Sequence, residues 1–318
     1  MQAVTKANTK QFEKSERVQR VLDKNKKGIL NFKKKDILGW IIMLPSLVLF
    51  GFFVWEPLLE SVRLSLYSAQ GVELKEFVGL DNYVSVFNNV SFMDAFVNTF
   101  KYIAWSLIIG FMVPIIFAVL ISETVRGKSL FRLAVYFPNM IPGMAVSLLW
   151  VYFFKPGPNG VLNMLLGKCG IEPSVWLNNA ALVVPLIIIT MTWKSAGSTS
   201  LIYMAGISGI NPEFYEAAAI DGAGVFQRIF HITIPCIISL GKTMLILQVI
   251  AVFQILYEPL VLTNGGPNNA SLSIMLLVYR YAFRDFNYPA AAALSVIICI
   301  VLIALSGLYM KLTKEKEN

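Results

Sequence analysis

Charged residues are scarce in this chain of 318 residues: they make up 14% of it, whereas hydrophobic residues make up 56%. An average soluble domain contains about 25% charged residues, so the composition argues against any soluble domain. A membrane-spanning helix needs roughly 20 largely apolar residues. Six such runs lie at about 37–57, 97–122, 131–154, 182–206, 233–261 and 289–311. The sequence therefore predicts an all-α integral membrane protein with six transmembrane helices.

Cysteine and histidine are also rare. Cys169, Cys236 and Cys299 are widely spaced, and His231 is the single histidine. A disulfide is therefore not expected, and neither is a metal site or a histidine proton relay. No pair of carboxylates lies inside an apolar run, which disfavours proton-coupled transport. Since no constellation of a nucleophile or a metal is present, we expect that the chain is not an enzyme.

A nucleotide-binding motif is lacking as well. The stretch Leu240-Gly241-Lys242-Thr243 ends like a phosphate-binding loop, but Cys236 occupies the position of the required earlier glycine. The stretch also lies inside an apolar run, whereas such loops follow a strand. We therefore expect no cofactor on this chain, and any ATP and Mg²⁺ would be used by a separate protein.

The positive charge is concentrated in a few segments. The net charge is +8, and eleven Lys/Arg lie in the first 35 residues. If this end is cytoplasmic, the inner segments hold 18 of the 27 Lys/Arg, as the orientation rule for membrane proteins requires. The sequence thus predicts a basic tail over 1–35 that binds acidic lipid rather than nucleic acid. A permease domain over 36–312 and a short tail over 313–318 follow, with both termini cytoplasmic.

The outer segments and the prolines give weaker signals. The loop 62–95 has the composition of a mixture of turns and helix. Prolines interrupt several runs, and each is expected to bend its helix because proline removes a backbone donor. They are Pro45, Pro114, Pro138, Pro142 and Pro185.

A short polar interruption separates the fourth and fifth apolar runs. Asn211-Pro212-Glu213 combines an N-cap residue, proline at the first helical position and an acid in the first turn, which is typical of a helix start. Gly222 fits the end of that helix, because glycine adopts positive φ at little cost. A second helix is predicted from Phe226 to Pro235, where the fifth span would begin. The segment 211–235 is thus a hairpin, either for a partner protein or simply interfacial.

Polar residues near this hairpin indicate where a solute could bind. Lys194 and Ser198 share a helix face with Thr190, and Ser195 is adjacent. In the fifth run, Gln254, Tyr257 and Glu258 would lie within about 100° of each other on one helix. Amide and hydroxyl groups with an aromatic ring suit a sugar. The alternative is hydrogen bonding between helices. The candidates are Trp193, Lys194, Ser195, Ser198, Gln248, Gln254 and Tyr257.

Several motifs resemble one family. Glu216-Ala217-Ala218, then Asp221-Gly222-Ala223-Gly224 and Ile234-Pro235, resemble the EAA loop of permeases from bacterial binding-protein-dependent ABC importers, although leucine is usual in place of Ile234. FVGLDNYV, GPNGVLNMLLG with VWLNN, and LTNGGPNNAS are similar to the carbohydrate-uptake branch. The resemblance covers about 35–312, and the GGP element is similar to the maltose/glycerol-phosphate-type first permease.

The resemblance implies a type I importer permease in the bacterial inner membrane. Its partners would be a second permease subunit, two cassette ATPase subunits and an extracytoplasmic solute-binding protein that delivers a sugar or polyol. The coupling residues would be Glu216, Ala217, Ala218, Asp221, Gly222 and Gly224. The alternative is an ion-coupled secondary transporter, which would predict inverted repeats and acids within the membrane.

Overall fold

The computed structural model describes residues 34–71, 73–124 and 126–314. The predicted basic tail over 1–35 lies outside these residues except for its last two, and the predicted tail over 313–318 lies outside except for its first two. Both therefore remain predictions. The chain divides into two units, residues 1–60 and 61–318.

The first unit contains an apolar helix. Helix α1 (Lys34–Phe50) continues through a π-helical turn (Gly51–Trp55) into α2 (Glu56–Ser65), whose last residues belong to the second unit. The apolar part, Gly39–Ser65, has 27 residues, enough to cross a bilayer. The first predicted span is thus confirmed as an apolar helix, but it extends past the predicted end at 57.

The second unit is largely helical. The longer helices are α4 (Val90–Trp105), α5 (Met112–Glu123), α9 (Val183–Ser208), α12 (Ile234–Phe253) and α15 (Tyr288–Lys314). The shorter helices are α3 (Asp81–Phe87), α6 (Lys128–Tyr136), α7 (Gly143–Phe153), α8 (Val161–Lys168), α10 (Pro212–Ile220), α11 (Val225–Arg228), α13 (Tyr257–Leu262) and α14 (Ile274–Phe283). The π-helical turn Ser106–Gly110 joins α4 to α5, so that Val90–Glu123 forms one long helix.

Within the described residues, length and composition identify four or five membrane spans. Four helices qualify by themselves: Gly39–Ser65, Val90–Glu123, Val225–Phe253 and Tyr288–Lys311. The pair α6 and α7 qualifies if it counts as one broken span. The predicted helical membrane architecture is therefore confirmed, whereas the count of six stays a prediction.

The third predicted span, 131–154, is not one straight helix. Lys128–Met140 and Gly143–Phe153 are bent by 97° relative to each other. Pro138 is the second residue of a 3₁₀ turn (Phe137–Met140), and Pro142 precedes the first residue of α7. Neither proline has an N–H to donate to the helix before it, which accounts for the break. The predicted bending effect is confirmed here.

The segment before α4 contains a small sheet that the sequence did not predict. Strands β1 (Tyr67–Gln70) and β2 (Glu73–Phe77) pair antiparallel. The Asn82 side chain donates hydrogen bonds to the carbonyl oxygens of Ser65 and Tyr67, at 2.9 Å and 3.0 Å. The expected mixture of turns and helix in this loop is therefore confirmed over 77–92, where a turn leads into α3 and then α4, whereas the hairpin before it was not predicted.

Helix α9 lies at the centre of the second unit. It contacts α4, α5, α6, α7, α12 and α13. Polar residues occupy its middle, and Thr190, Thr192 and Ser200 are buried there. This composition explains why α9, the predicted fourth span, is long enough to cross a bilayer but is not among the helices that qualify as apolar.

The helix observed at the fifth predicted span, 233–261, begins and ends earlier than predicted. The helix begins at Val225 and runs without interruption to Phe253. A π-helical turn (Ile229–Thr233) precedes Pro235, and such local adjustments let a membrane helix accommodate proline. At the other end, Pro259 has no N–H for the carbonyl of Ile255, which instead accepts a hydrogen bond from Ser273 Oγ at 2.7 Å. The helix therefore stops before this proline.

Candidate functional site

The hairpin between α9 and α12 begins as the sequence predicts. Asn211 has extended backbone angles, and its side chain accepts a hydrogen bond from the N–H of Glu213 at 3.1 Å. Pro212 is the first residue of α10, where a missing N–H costs nothing because the first turn has no internal acceptor. We call α10 (Pro212–Ile220) the docking helix.

The end of the docking helix is also as predicted. Gly222 has a φ of +79°. The N–H of Ala223 donates to the carbonyl of Ala218 at 2.8 Å, and the N–H of Gly222 donates to that of Ala219 at 3.1 Å. These two bonds form the Schellman motif, which satisfies carbonyls at a helix end and turns the chain. Gly222 is therefore the residue at which the hairpin reverses.

The second arm of the hairpin starts at Gly224. Its N–H donates to the Gln227 side chain at 2.7 Å, which is one half of a capping box. The helix then continues into α12. The second predicted helix, from Phe226 to Pro235, is thus present but does not end at Pro235. The hairpin is joined directly to a helix that is long enough to cross the membrane.

Five of the six predicted coupling residues are exposed. Glu216, Ala217, Asp221, Gly222 and Gly224 are exposed, and Ala218 is half-buried. Large apolar side chains accompany them: Phe214, Ile220, Val225, Phe226 and Phe230 are exposed by 55%, 87%, 45%, 78% and 66%. Grouped apolar side chains on a surface commonly mark an interaction site. The hairpin can thus contact another protein through an apolar patch with acidic neighbours.

The predicted solute-binding residues do not form one face. Gln254 follows the last residue of α12, and Tyr257 begins α13 after a break. The predicted helix face of Gln254, Tyr257 and Glu258 is therefore wrong, since one helix does not carry all three. Gln254 instead lines a groove of about 660 Å³ with Ser295, Cys299 and Ile303 of α15.

Lys194 and Tyr257 come together at Gly143 from different helices. A β-carbon at Gly143 would lie 3.7 Å from Lys194 Cε and 4.0 Å from Tyr257 Cδ2. Lys194 also lies close enough to Glu258 for their charges to attract each other. A cation, a carboxylate and an aromatic ring that share one space can hydrogen-bond to hydroxyl groups and cover the C–H face of a sugar. We call Gly143, Lys194, Tyr257 and Glu258 the polar cluster.

Trp193 lies beside this cluster in a more apolar setting. Its ring packs edge to face on Trp150, with centroids 5.9 Å apart. It also lines an apolar cavity of about 360 Å³ with Thr192, Ile109 and Val113. The Nε1 atom of Trp150 is buried and has no hydrogen-bond partner among the described residues. The indole pair provides aromatic surface but few polar groups.

Three further candidates are already hydrogen-bonded inside the protein. Ser195 Oγ donates to the Met191 carbonyl at 2.9 Å, and Ser198 Oγ donates to the Ser195 carbonyl at 2.8 Å. Gln248 Nε2 donates to Ser106 Oγ at 2.9 Å, which links α12 to the π-helical turn between α4 and α5. These bonds fit the alternative in which polar groups join or stabilise helices.

The loop after α13, which contains LTNGGPNNAS, is held by contacts that sequence reasoning missed. Tyr102 OH donates to the Ser271 carbonyl at 2.9 Å, and Asn98 Nδ2 donates to the Asn269 carbonyl at 2.6 Å. The Asn269 side chain donates to Asp94 at 3.1 Å. Asp94, Asn98 and Tyr102 recur every four residues on α4, which places them on one helix face. This four-residue spacing is the signal in the sequence from which a shared polar face of α4 could have been predicted.

Arg280 holds the same loop from the other side. Its NH2 group donates to the Asn264 carbonyl at 2.6 Å, and its NH1 group donates to the Asn269 side chain at 3.3 Å. Burial and the nearby Arg284 lower the pKa of Arg280, while Asp285 acts in the opposite direction. The loop over 263–273 is therefore fixed by side chains of α4 and α14.

Metal-binding side chains are not clustered in the part of the chain that the structure describes. There, no group of three or more His, Cys, Asp or Glu residues could hold a metal ion. The expectation that the chain needs no metal stays a prediction.

Comparisons with known proteins agree on one kind of protein. The sequence profile of the family "Binding-protein-dependent transport system inner membrane component" matches residues 110–313. The chain is 31% identical over 290 residues to the probable ABC transporter permease protein YurN of Bacillus subtilis, which covers 90% of this chain and 99% of that protein. It is 28% identical over 284 residues to the sn-glycerol-3-phosphate transport system permease protein UgpA of Escherichia coli (strain UTI89), covering 88% and 95%.

A solved structure has the same fold. A chain of a bacterial ABC transporter involved in the import of the acidic polysaccharide alginate matches with a TM-score of 0.78 and 28% identity, covering 89% of this chain and 96% of that chain. The bacterial alginate transporter in complex with a periplasmic protein that carries an alginate pentasaccharide matches with a TM-score of 0.77. The architecture of this chain therefore occurs in a solved transporter.

Proposed function

Because this chain belongs to the family of binding-protein-dependent transport system inner membrane components, we propose that it is one of two permease subunits of an ATP-driven importer for a sugar or related polyol. A separate pair of cassette ATPases supplies the energy, and an extracytoplasmic solute-binding protein delivers the solute. The chain itself carries out no covalent chemistry.

The exposed hairpin is the observation that carries this proposal. An apolar patch with Glu216 and Asp221 beside it lies directly before a continuous helix, Val225–Phe253. A motor protein that binds the docking helix can therefore move a membrane helix without an intervening flexible joint. Glu216, Ala217, Ala218, Asp221, Gly222 and Gly224 are the proposed coupling residues.

The polar cluster supports a carbohydrate as solute. Lys194 and Glu258 offer charge-assisted hydrogen bonds, which are stronger than neutral ones, and Tyr257 offers an aromatic face. The relatives that transport sn-glycerol-3-phosphate and alginate handle polyhydroxylated compounds that carry negative charge. We infer that Lys194 contacts the solute, that Trp193, Ser195, Ser198 and Gln254 contribute less, and that Gln248 joins two helices instead.

The membrane location of the chain follows from its family, and its orientation in that membrane follows from the distribution of positive charge. The family is an inner membrane component, and we propose that both termini and the hairpin face the cytoplasm, as the distribution of Lys and Arg indicates. Closure of the ATPase dimer would then draw the hairpins together and open the bundle alternately to each side.

Reconstitution into vesicles tests the proposal. The chain is purified with its co-eluting partners, inserted into liposomes, and supplied with the solute-binding protein and a panel of labelled sugars and polyols. We expect uptake that requires ATP and the binding protein and that survives dissipation of ion gradients. Uptake by this chain alone, abolished by an ionophore and indifferent to ATP, would instead support the ion-coupled transporter.

A further inference from the structure

Two side-chain contacts tie the hairpin to the membrane helices. The first joins the docking helix to the base of the second arm: Tyr215 OH lies 2.9 Å from Thr233 Oγ1. Thr233 is 2% exposed, so this hydroxyl pair is shielded from solvent. The docking helix is thus attached both through the turn at Gly222 and through a direct hydrogen bond.

The second contact joins the second arm to another long helix. Arg228 NH2 lies 3.8 Å from Glu123 Oε2, and the two side chains are 27% and 32% exposed. Arg228 is the last residue of α11 and Glu123 is the last residue of α5. Arg228 thus pairs with a carboxylate of a neighbouring helix within this chain.

The helices joined by these contacts also share a core. Ala118 and Ile121 of α5, Tyr203 and Met204 of α9, and Ile237 of α12 form one buried apolar cluster. The three helices therefore converge behind the hairpin. A displacement of the hairpin reaches α12 through the continuous backbone, whereas it reaches α5 through the Arg228–Glu123 pair.

We propose that Glu123 and Arg228 are positioning residues, which fix the hairpin to helix Val90–Glu123 so that movement of the docking helix is delivered to two membrane helices together. The inference rests on the proposed function, because it assumes that an ATPase moves the hairpin. The pair contacts neither solute nor nucleotide and acts through the docking helix.

Loss of the Glu123–Arg228 pair should affect the coupling between ATP hydrolysis and uptake more than the stability of the fold. Ion pairs that are partly exposed typically stabilise a protein by only about 0–1 kcal/mol. Loss of the pair therefore leaves most of the stability in place. A coupling between two sites, however, commonly changes an equilibrium by about 5- to 150-fold.

The experiment measures solute uptake per ATP hydrolysed by the reconstituted assembly, with its binding protein present. Glu123→Gln and Arg228→Gln should each lower this ratio by about fivefold, the most that a pair contributing about 1 kcal/mol can change an equilibrium. The charge swap Glu123→Arg with Arg228→Glu should restore the ratio to within about twofold of the unmodified assembly, since the attraction between unit charges does not depend on which side carries which sign. Arg126→Gln, which removes an exposed charge from the adjacent loop, is the matched control and should leave the ratio unchanged.

Tyr215→Phe provides an independent test if the charge variants assemble poorly. It keeps the ring and removes only the hydroxyl that contacts Thr233, so it should also lower uptake per ATP. The inference would be overturned if uptake per ATP were equal in the unmodified, Glu123→Gln and Tyr215→Phe assemblies. It would also be overturned if the charge swap failed to restore a ratio that the single charge variants had lowered. If the unmodified assembly itself shows no ATP-dependent uptake, the proposed function fails, and that result is distinct from either.

Discussion

The hydroxyl of Tyr215 on the docking helix lies 2.9 Å from that of Thr233, which directly precedes helix α12. The two residues are brought together because Gly222 reverses the chain between them. A surface hairpin of this kind is not a flexible loop, since its first helix is fixed at both ends to the helix that follows. This geometry is consistent with the proposed coupling role, because a force applied to the outside of the hairpin has two routes to the helix that follows.

Gly222 should tolerate substitution less well than Gly224. Gly222→Ala places a side chain at a φ of +79°, and the left-handed conformation costs about 1–2 kcal/mol for an L-residue. The β-carbon would meet open space, so this conformational cost is the whole effect. Thermal unfolding of the purified assembly should show a lower midpoint.

Gly224→Ala is the matched control. Gly224 has a φ of −69°, which any residue adopts, and its β-carbon would lie 3.8 Å from the nearest atom, Gln227 Oε1. This variant should unfold at the unmodified temperature. Equal destabilisation by both substitutions would show that the backbone at Gly222 is not the determinant.

Gly197 should be essential for the contact between α9 and α6. A β-carbon there would lie 2.1 Å from the Val135 carbonyl oxygen and 2.6 Å from its carbon. Backbone atoms cannot move aside like a flexible side chain, so Gly197→Ala should destabilise the protein by about 3 kcal/mol, the upper end for overpacking. The yield of folded protein after detergent extraction measures this loss of stability. Gly307→Ala is the control: its β-carbon would have no atom within 4 Å, so this variant should be extracted in normal yield. Normal yield of Gly197→Ala would contradict the packing.

Gln248 should behave as a link between helices rather than as a solute ligand. Gln248→Leu and Ser106→Ala each remove the same hydrogen bond, which in membrane proteins contributes about 0.6 kcal/mol on average. The double variant should therefore be no less stable than the worse single variant, and the apparent KM for the solute should not change. A rise in KM for Gln248→Leu without a matching rise for Ser106→Ala would place Gln248 in the solute site after all.

Lys194 should be required for solute recognition. Lys194→Met removes the cation and leaves Glu258 without its attraction, so assembly can suffer as well as binding. Adding Glu258→Gln should restore assembly but not affinity, which should be at least about tenfold weaker, because the solute loses the charge-assisted hydrogen bonds that both residues offer. Uptake kinetics of the double variant measure this. Normal affinity in that protein would exclude Lys194 from the site.

The hairpin could be predicted from sequence because its determinants are local. The N-cap of Asn211 and the turn at Gly222 depend on residues within one or two helical turns, and capping rules describe such contacts well. The polar cluster depends instead on where α12 stops. That end is set by Pro259 together with Ser273, which lies 18 residues from its partner Ile255. Residue spacing along an assumed continuous helix could not reveal it.

The contacts that fix the loop over 263–273 were missed for a similar reason. Tyr102 and Ser271 are 169 residues apart in sequence, so only the folded bundle brings them together. Gln248 and its partner Ser106 are 142 residues apart. In these cases the sequence shows polar residues at helical spacing, but it does not show whether they face a solute or another helix.

Crosslinking from Ala217 tests the central claim most directly. Ala217 is exposed on the docking helix, and Ala217→Cys can carry a short photoactivated crosslinker in native membranes. A cassette ATPase should be captured at this position, and its yield should change when ATP is added. A crosslinker at the exposed residue Asn268, which the proposed topology places on the outer side of the membrane, should capture no ATPase. If Ala217 captures only lipid or unrelated protein with and without ATP, the hairpin is not the point at which a motor acts.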